Sequence, residues 1–216
     1  MYVPPHFAVD DLDLMRETIA HHSLATLVTC GQRGLIANHV PLTFVPGGAR
    51  GTLHGHLSRA NEQWREIESG TEVLAIFSGP DAYVSPSVYE TKFETGKVVP
   101  TWDYVVVHAY GVGTTFDDPT RLHALVSALT DQHERPRDEP WRVTDAPESY
   151  IDGQLRGIVG IEIQISRMIG KWKISQNRSK ADREGAIEDL ARSERSDARD
   201  LALLMARAER ERAGSR

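Results

Sequence analysis

Cysteine is nearly absent: Cys30 is the single thiol in 216 residues. That excludes an internal disulfide and any metal site built from clustered cysteines, and it fits a reducing compartment. Long apolar runs are missing as well. Val105–Val107 and Leu201–Met205 are far too short to span a bilayer. The start, Met1-Tyr2-Val3-Pro4-Pro5-His6, lacks the basic and then apolar pattern of a secretory signal. Together these absences predict a cytoplasmic address with no membrane partner. There is no excess of positive charge either. The 25 Lys and Arg residues against 31 Asp and Glu give a net charge of −6. This argues against a broad nucleic-acid footprint, though not against a local basic patch. The chain has no Gly-rich dinucleotide fingerprint, no Walker loop, no Gly-x-Ser-x-Gly elbow and no His-Glu-x-x-His or Cys-x-x-Cys-His pair. Any cofactor must therefore be held by dispersed strand and loop residues.

What remains is an ordinary folded composition, 40% apolar and 26% charged. Leu12, Met15 and Ile19 fall at helical spacing and predict a helix over Asp10–His22. Strands follow at Leu24–Cys30, Leu35–Val45 and Gly51–Ser58, with a turn at Gln32-Arg33-Gly34 and a connection at Pro46-Gly47-Gly48. A short helix is expected over Ala60–Glu68. A strand over Glu72–Ser78 is expected to stop at Gly79-Pro80, with Tyr83–Ser85 continuing it beyond a kink. Ser87–Lys97 reads as a loop or short helix, and Trp102–Phe116 as a long strand. Asp117-Asp118-Pro119 opens a helix to about Gln132, and Glu134–Pro147 is a loop. Ile158–Ile169 alternates cleanly, with Ile161, Ile163 and Ile165 on one face. Residues 178–216 carry ten basic and nine acidic side chains, which predicts a solvated helical extension. Antiparallel strands joined by hairpins, with helices late in the chain, predict a small β-barrel decorated by helices.

The richest chemistry lies in Leu53-His54-Gly55-His56-Leu57-Ser58-Arg59-Ala60-Asn61. On a strand, His54, His56 and Ser58 share one face. Gly55 between them permits a close approach of backbone or a flat ligand. Arg59 at the strand end can take a phosphate or carboxylate in a two-pronged contact. The functional reading is a cofactor anchor; the plain one is a polar strand face in water. A metal held by His54, His56 and His39 is a further alternative. His39 itself lies on a strand that Pro41 confines to an edge or bulge.

Two further stretches matter. Phe77–Pro86 reads as a sharply turned loop carrying Ser78, Tyr83 and Ser85, and Val99–Tyr104 sets Trp102 and Tyr104 around Asp103. Such aromatics wall a ligand pocket, a core or an interface. Gly170–Arg178 is dense in donors, of which Lys173, Gln176 and Arg178 can meet anionic groups, or simply water.

Taken in order, Met1–Phe7, Asn38–Leu42, Gly55–Asn61, Ile76–Ser87, Lys97–Tyr104 and Ser175–Arg178 resemble the PaiB family of FMN-binding negative transcriptional regulators. The resemblance spans nearly the whole chain. It implies an α+β fold, a flavin-type split β-barrel over residues 1–178 with a helical extension over 179–216. It also implies a homodimer with cofactor sites where the subunits meet, and Ser58 and Arg59 at the FMN phosphate. One departure is Val88, where the family usually has tryptophan in Ser-Pro-Ser-Trp-Tyr; the smaller side chain is expected to reshape the pocket. A related branch resembles haem-dependent piperazate synthases, which cyclise N5-hydroxyornithine by forming an N–N bond. The cofactor expected is therefore haem b or FMN, with a small-molecule substrate. His39, His54, His56, Ser58, Arg59, Ser78, Trp102, Lys173, Gln176 and Arg178 are the expected cofactor contacts. For haem, His56 and His39 are the axial candidates, with His6 and His108 in reserve. Tyr83, Lys97 and Asp103 are the candidates for the proton-transfer group. Repression through direct DNA contact is the competing expectation, and the overall charge opposes it.

Overall fold

The computed structural model describes residues 1–31 and 34–214. The turn expected at Gln32-Arg33 lies outside the described residues. The strands are β1 (Ala8–Val9), β2 (Leu24–Gly31), β3 (Gly34–Val45), β4 (Thr52–Ser58), β5 (Glu72–Val84), β6 (Thr101–Phe116) and β7 (Ile158–Lys173). The helices are α1 (Leu12–His21), α2 (Gln63–Glu68), α3 (Glu90–Thr95), α4 (Pro119–Glu134), α5 (Glu148–Leu155), α6 (Lys180–Ala191) and α7 (Ser196–Gly214). The sheet order is β1-β7-β4-β3-β2-β5-β6, and β6 also pairs with β7, so that six strands close on themselves. This is the expected α+β architecture; α1–α5 lie between strands, and α6 and α7 follow the last strand. None of the described helices is long and apolar enough to cross a membrane.

The chain divides into two compact units, each described on its own. One comprises residues 16–77 and 108–168. Its core follows from alternation. Leu53, Gly55 and Leu57 of β4 are buried while His54, His56 and Ser58 face outward. Ile161, Ile163 and Ile165 of β7 are buried as their spacing requires. The pairing of β4 with β7 sets His54 opposite Glu162, His56 opposite Gly160 and Ser58 opposite Ile158. The Cβ missing from Gly55 would lie 2.5 Å from Leu42 and 2.8 Å from the Pro41 carbonyl. The close approach that Gly55 permits is thus made by the neighbouring strand, not by a ligand. Asp118 caps α4 by accepting the Arg121 N–H at 2.8 Å, with Pro119 in the first turn. The short helix α5 has no counterpart in the sequence reading.

The other unit comprises residues 1–15, 78–107 and 169–216. Here β1 pairs with the end of β7, Ala8 opposite Lys171. Helix α6, capped by Ser179, lies beside α7, and Arg183 grips Glu209 with two prongs at 2.6 and 2.8 Å. The residues after 178 therefore form two packed helices, with Ala186, Leu190, Leu201 and Met205 buried. At Gly185 a Cβ would sit 2.2 Å from the Val88 carbonyl, so the absent side chain brings α6 against the short 3-10 turn Pro86–Val88.

The expected break at Gly79-Pro80 does not occur, because β5 runs unbroken through it. The residues there do something else. Val73, Ala75 and Phe77 are buried before this point, and Pro80, Ala82 and Val84 after it. The buried positions change from odd to even where the strand passes from one compact unit to the other. Pro80 has no N–H to give a ladder, and that is the signal first read as a stop.

Candidate functional site

On the outer face of the unit formed by residues 16–77 and 108–168 lies a cleft of about 430 Å³. It is lined by Asn38, His39, His56, Ser58, Asn61 and Gln154, with Val40, Pro41, Leu57, Gly157 and Ile158 as its apolar parts. Among the described lining residues there is no Lys, Arg, Asp or Glu. Strand alternation puts His56 and Ser58 here, with Gly160 opposite His56. The ring of Phe116 occupies the space a Cβ on Gly160 would need, 2.4 Å from it, and Arg121 stacks on that ring at 4.0 Å.

His56 Nδ1 is buried and has no hydrogen-bond partner among the described residues. Burial holds its pKa below the ordinary histidine value. A neutral imidazole with an unsatisfied ring nitrogen at a cleft is a donor set suited to a metal-bearing or hydrogen-bonding ligand. His39 is exposed at the other side of the lining. Ser58 accepts the Ala60 N–H at 3.3 Å.

The remaining expected residues of this unit stand differently. His54 is not part of the cleft lining; its Nε2 is 3.9 Å from Glu162, whose Oε2 also takes Arg121 at 3.0 Å. Burial lowers the His54 pKa, Glu162 raises it and Arg121 lowers it further. Arg59 is outside the lining too, with its side chain hydrogen bonded to the carbonyls of Arg156 and Ile158. Among the described residues no three His, Cys, Asp or Glu side chains gather to hold a metal ion. The alternative of a metal held by His39, His54 and His56 alone is therefore overturned. His108 is partly buried, with an unpartnered Nδ1 among the described residues and a pKa lowered by burial.

Gln63 was missed by the sequence reading. It is 1% exposed and reaches from α2 to the strands. Its Nε2 donates to the Leu27 carbonyl at 2.9 Å, to the Ile36 carbonyl at 3.3 Å and to Thr29 Oγ1 at 3.4 Å. Its Oε1 accepts from Asn38 Nδ2 at 2.9 Å, which fixes a polar side chain of the cleft. Asn61 Oδ1 in turn accepts the Gln63 N–H at 3.1 Å. Gln63 stands one turn before the buried Ile67 on the same helix face, and that spacing is the one sequence signal that could have found it.

The other unit holds the other expected residues, in two groups. Asp103 is wholly buried. Its carboxylate accepts from Ser175 Oγ at 2.5 Å and from Lys173 Nζ at 3.3 Å. Lys173 also donates to Thr101 Oγ1 and to the Trp102 carbonyl. Burial raises the Asp103 pKa, opposed by Ser175 and Lys173. Ser175 has a left-handed backbone, φ 59°, and Arg178 N–H donates to its carbonyl at 3.0 Å. The Arg178 guanidinium lies 4.9 Å from the centre of the buried Tyr89 ring. Gln176 is occupied by backbone, its Oε1 accepting the Ile174 N–H at 2.8 Å and its Nε2 donating to the Trp172 carbonyl. This cluster holds charge in the interior and offers no open face at Asp103.

The second group is exposed. Trp102 Nε1 donates to Asp81 at 2.7 Å, and Tyr83 meets the Trp102 ring edge-on at 6.2 Å. Ser78 and Lys97 are exposed, and the Lys97 N–H donates to Thr95 Oγ1.

The family model described as "Putative FMN-binding domain" matches residues 1–167. The "Protease synthase and sporulation protein PAI 2" of Bacillus subtilis is 33% identical over 205 residues, 95% of this chain and 96% of that protein. The chain belongs to the PaiB family. A protein of Emericella nidulans is 38% identical over 161 residues, 62% of this chain and 64% of that one. Among solved structures, the FAD and haem binding protein of Mycobacterium smegmatis superposes with a TM-score of 0.60 at 14% identity, covering 83% of this chain and 79% of that one. The flavocytochrome Anf3 of Azotobacter vinelandii gives 0.52 at 15% identity, covering 79% and 72%. Likeness at such low identity shows the fold, and the fold of this PaiB-family chain is the split barrel.

Proposed function

We propose that this chain holds a planar cofactor, haem b or FMN, at the cleft of His39 and His56 and uses it on a small molecule. The observation that carries the reading is the buried, unpartnered Nδ1 of His56 at a cleft whose lining offers imidazoles, amides and a hydroxyl. That donor set fits haem: His56 or His39 would hold its iron, and Asn38, Ser58, Asn61 and Gln154 would offer it polar contacts. Bound haem supplies redox and Lewis-acid chemistry that these side chains lack. The protein's part is to keep an imidazole neutral, to orient what binds and to limit water. Family membership favours FMN as the second reading.

A homodimer with cofactor sites at the subunit contact follows from the family resemblance. Cyclisation of N5-hydroxyornithine is the sharpest specific reaction to assay. Negative regulation of transcription is the alternative that the family resemblance implies, acting through a partner or metabolite in view of the net charge of −6.

The absorption spectrum of the purified full chain, before and after addition of haemin or FMN, tests the proposal. Haem with a histidine ligand gives an intense Soret band that weakens in His56→Ala or His39→Ala, whichever is axial. Protein that takes up neither cofactor refutes the reading.

A further inference from the structure

Three consecutive carbonyls converge on Arg59. Its N–H donates to Gly157 O at 2.8 Å. Its Nε donates to Arg156 O and its Nη2 to Ile158 O, each at 3.1 Å. The same Nη2 lies 3.7 Å from Asp117 Oδ2. A guanidinium has a rigid planar fork, so the direction in which it is committed decides what else it can meet. Here the fork is turned onto backbone.

The segment it grips is the link from α5 to β7. Gly157 and Ile158 of that link, with Gln154 just before it, form one side of the cleft. Beyond this grip, Ile158 pairs with Ser58 in the β4–β7 ladder. Gly157 and Arg156 are exposed, and the N–H groups of both are bonded back into α5, to Gln154 O at 2.9 Å and Asp152 O at 3.3 Å.

We propose that Arg59 is a positioning residue that clamps Arg156–Ile158 as a wall of the cleft and does not contact a cofactor phosphate. This rests on the cleft being the cofactor site, and it departs from the phosphate contact that the family resemblance implies for Arg59.

The test compares Arg59→Lys and Arg59→Gln with wild type, using FMN and riboflavin, which share a ring system but differ in the phosphate. Hydrogen exchange of the segment 154–160 is followed in parallel in cofactor-free protein. Lysine keeps a charge for a phosphate, though not a two-pronged contact, whereas the forked grip on two carbonyls is lost in both variants. For a clamp, both variants weaken FMN and riboflavin by the same factor, about tenfold, and exchange across 154–160 quickens about tenfold while distant segments keep their rates. Loss confined to FMN, partly rescued in Arg59→Lys, overturns the proposal. Unchanged exchange at 154–160 in both variants overturns it as well. If wild type binds no flavin and no haemin, the cofactor reading fails separately, and the exchange rates alone decide whether Arg59 holds the link.

Discussion

Replacing Gln63 by leucine keeps the volume of a buried side chain and removes its four hydrogen bonds. Two of these, to the Leu27 carbonyl and from Asn38 Nδ2, are short at 2.9 Å; those to Ile36 O and Thr29 are longer. Each good bond contributes about 1 kcal/mol net, and an orphaned buried partner adds about 1–3 kcal/mol. Carbonyls have a second lone pair for the strand ladder, so the larger loss falls on Asn38 and Thr29. The sum expected for Gln63→Leu is about 2–3 kcal/mol, or roughly 4–12 °C in melting temperature for a chain of this size. Gln63→Glu separates bonding from packing. An ionised carboxylate cannot donate to Leu27 O and faces it with like partial charge, so this variant is the less stable of the two above pH 7. Burial among acceptors raises the new carboxyl's folded-state pKa above its unfolded value. Its stability contribution is then fully present below the unfolded pKa and is lost as pH rises through the folded one. The deficit of Gln63→Glu therefore shrinks on acidification relative to Gln63→Leu. Urea melts at several pH values measure both. If Gln63→Leu unfolds within about 0.5 kcal/mol of wild type, a change ordinary for the surface, the bridge from α2 to β2 and β3 carries no weight and the reasoning is refuted.

Adding a methyl at Gly160 drives a Cβ to 2.4 Å from the Phe116 ring. Since the ring lies near a strand end and can swing out, Gly160→Ala is expected to cost about 1–2 kcal/mol in a urea melt and to loosen the Arg121 stack; wild-type stability would show the ring to be loosely placed. The pKa of His56 is lowered by burial, so its contribution is fully present above the ordinary value of 6.5 and is lost as pH falls through the folded value. Stability accordingly declines on acidification below 6.5, and the decline is shallower in His56→Gln; equal slopes in the two proteins contradict the assignment of a neutral buried imidazole.

Much of the fold was legible because the strands alternate. β2, β3 and β4 lie within a residue of where the pattern set them, and the outward face of His54, His56 and Ser58 follows from period two alone. β5 was misread because Gly-Pro is a turn signal, which strand pairing overrode here. Helix α5 escaped notice because Leu155 is its one buried residue, so no apolar stripe announces it. Its absence from the reading hid Gln154 and Gly157, which reach the cleft through the tertiary path of the chain. The site was legible in part for the same reason. His39, His56 and Ser58 meet at one cleft, while His54 is drawn to Glu162 by strand register and Arg59 to backbone oxygens. Asp103 was visible as a carboxylate between aromatics, but its closure by Ser175 and Lys173 depends on residues some seventy positions away.

The change of inward face within β5 means that this one strand obeys two opposite rules of substitution. Before Ser78, swaps at even positions are tolerated and swaps at odd ones are punished; after Gly79 the rule inverts. Removing a single residue between Phe77 and Pro80 would put one half of the strand out of phase and send Ala82 and Val84 to the solvent side, so the spacing there is as constrained as any side chain.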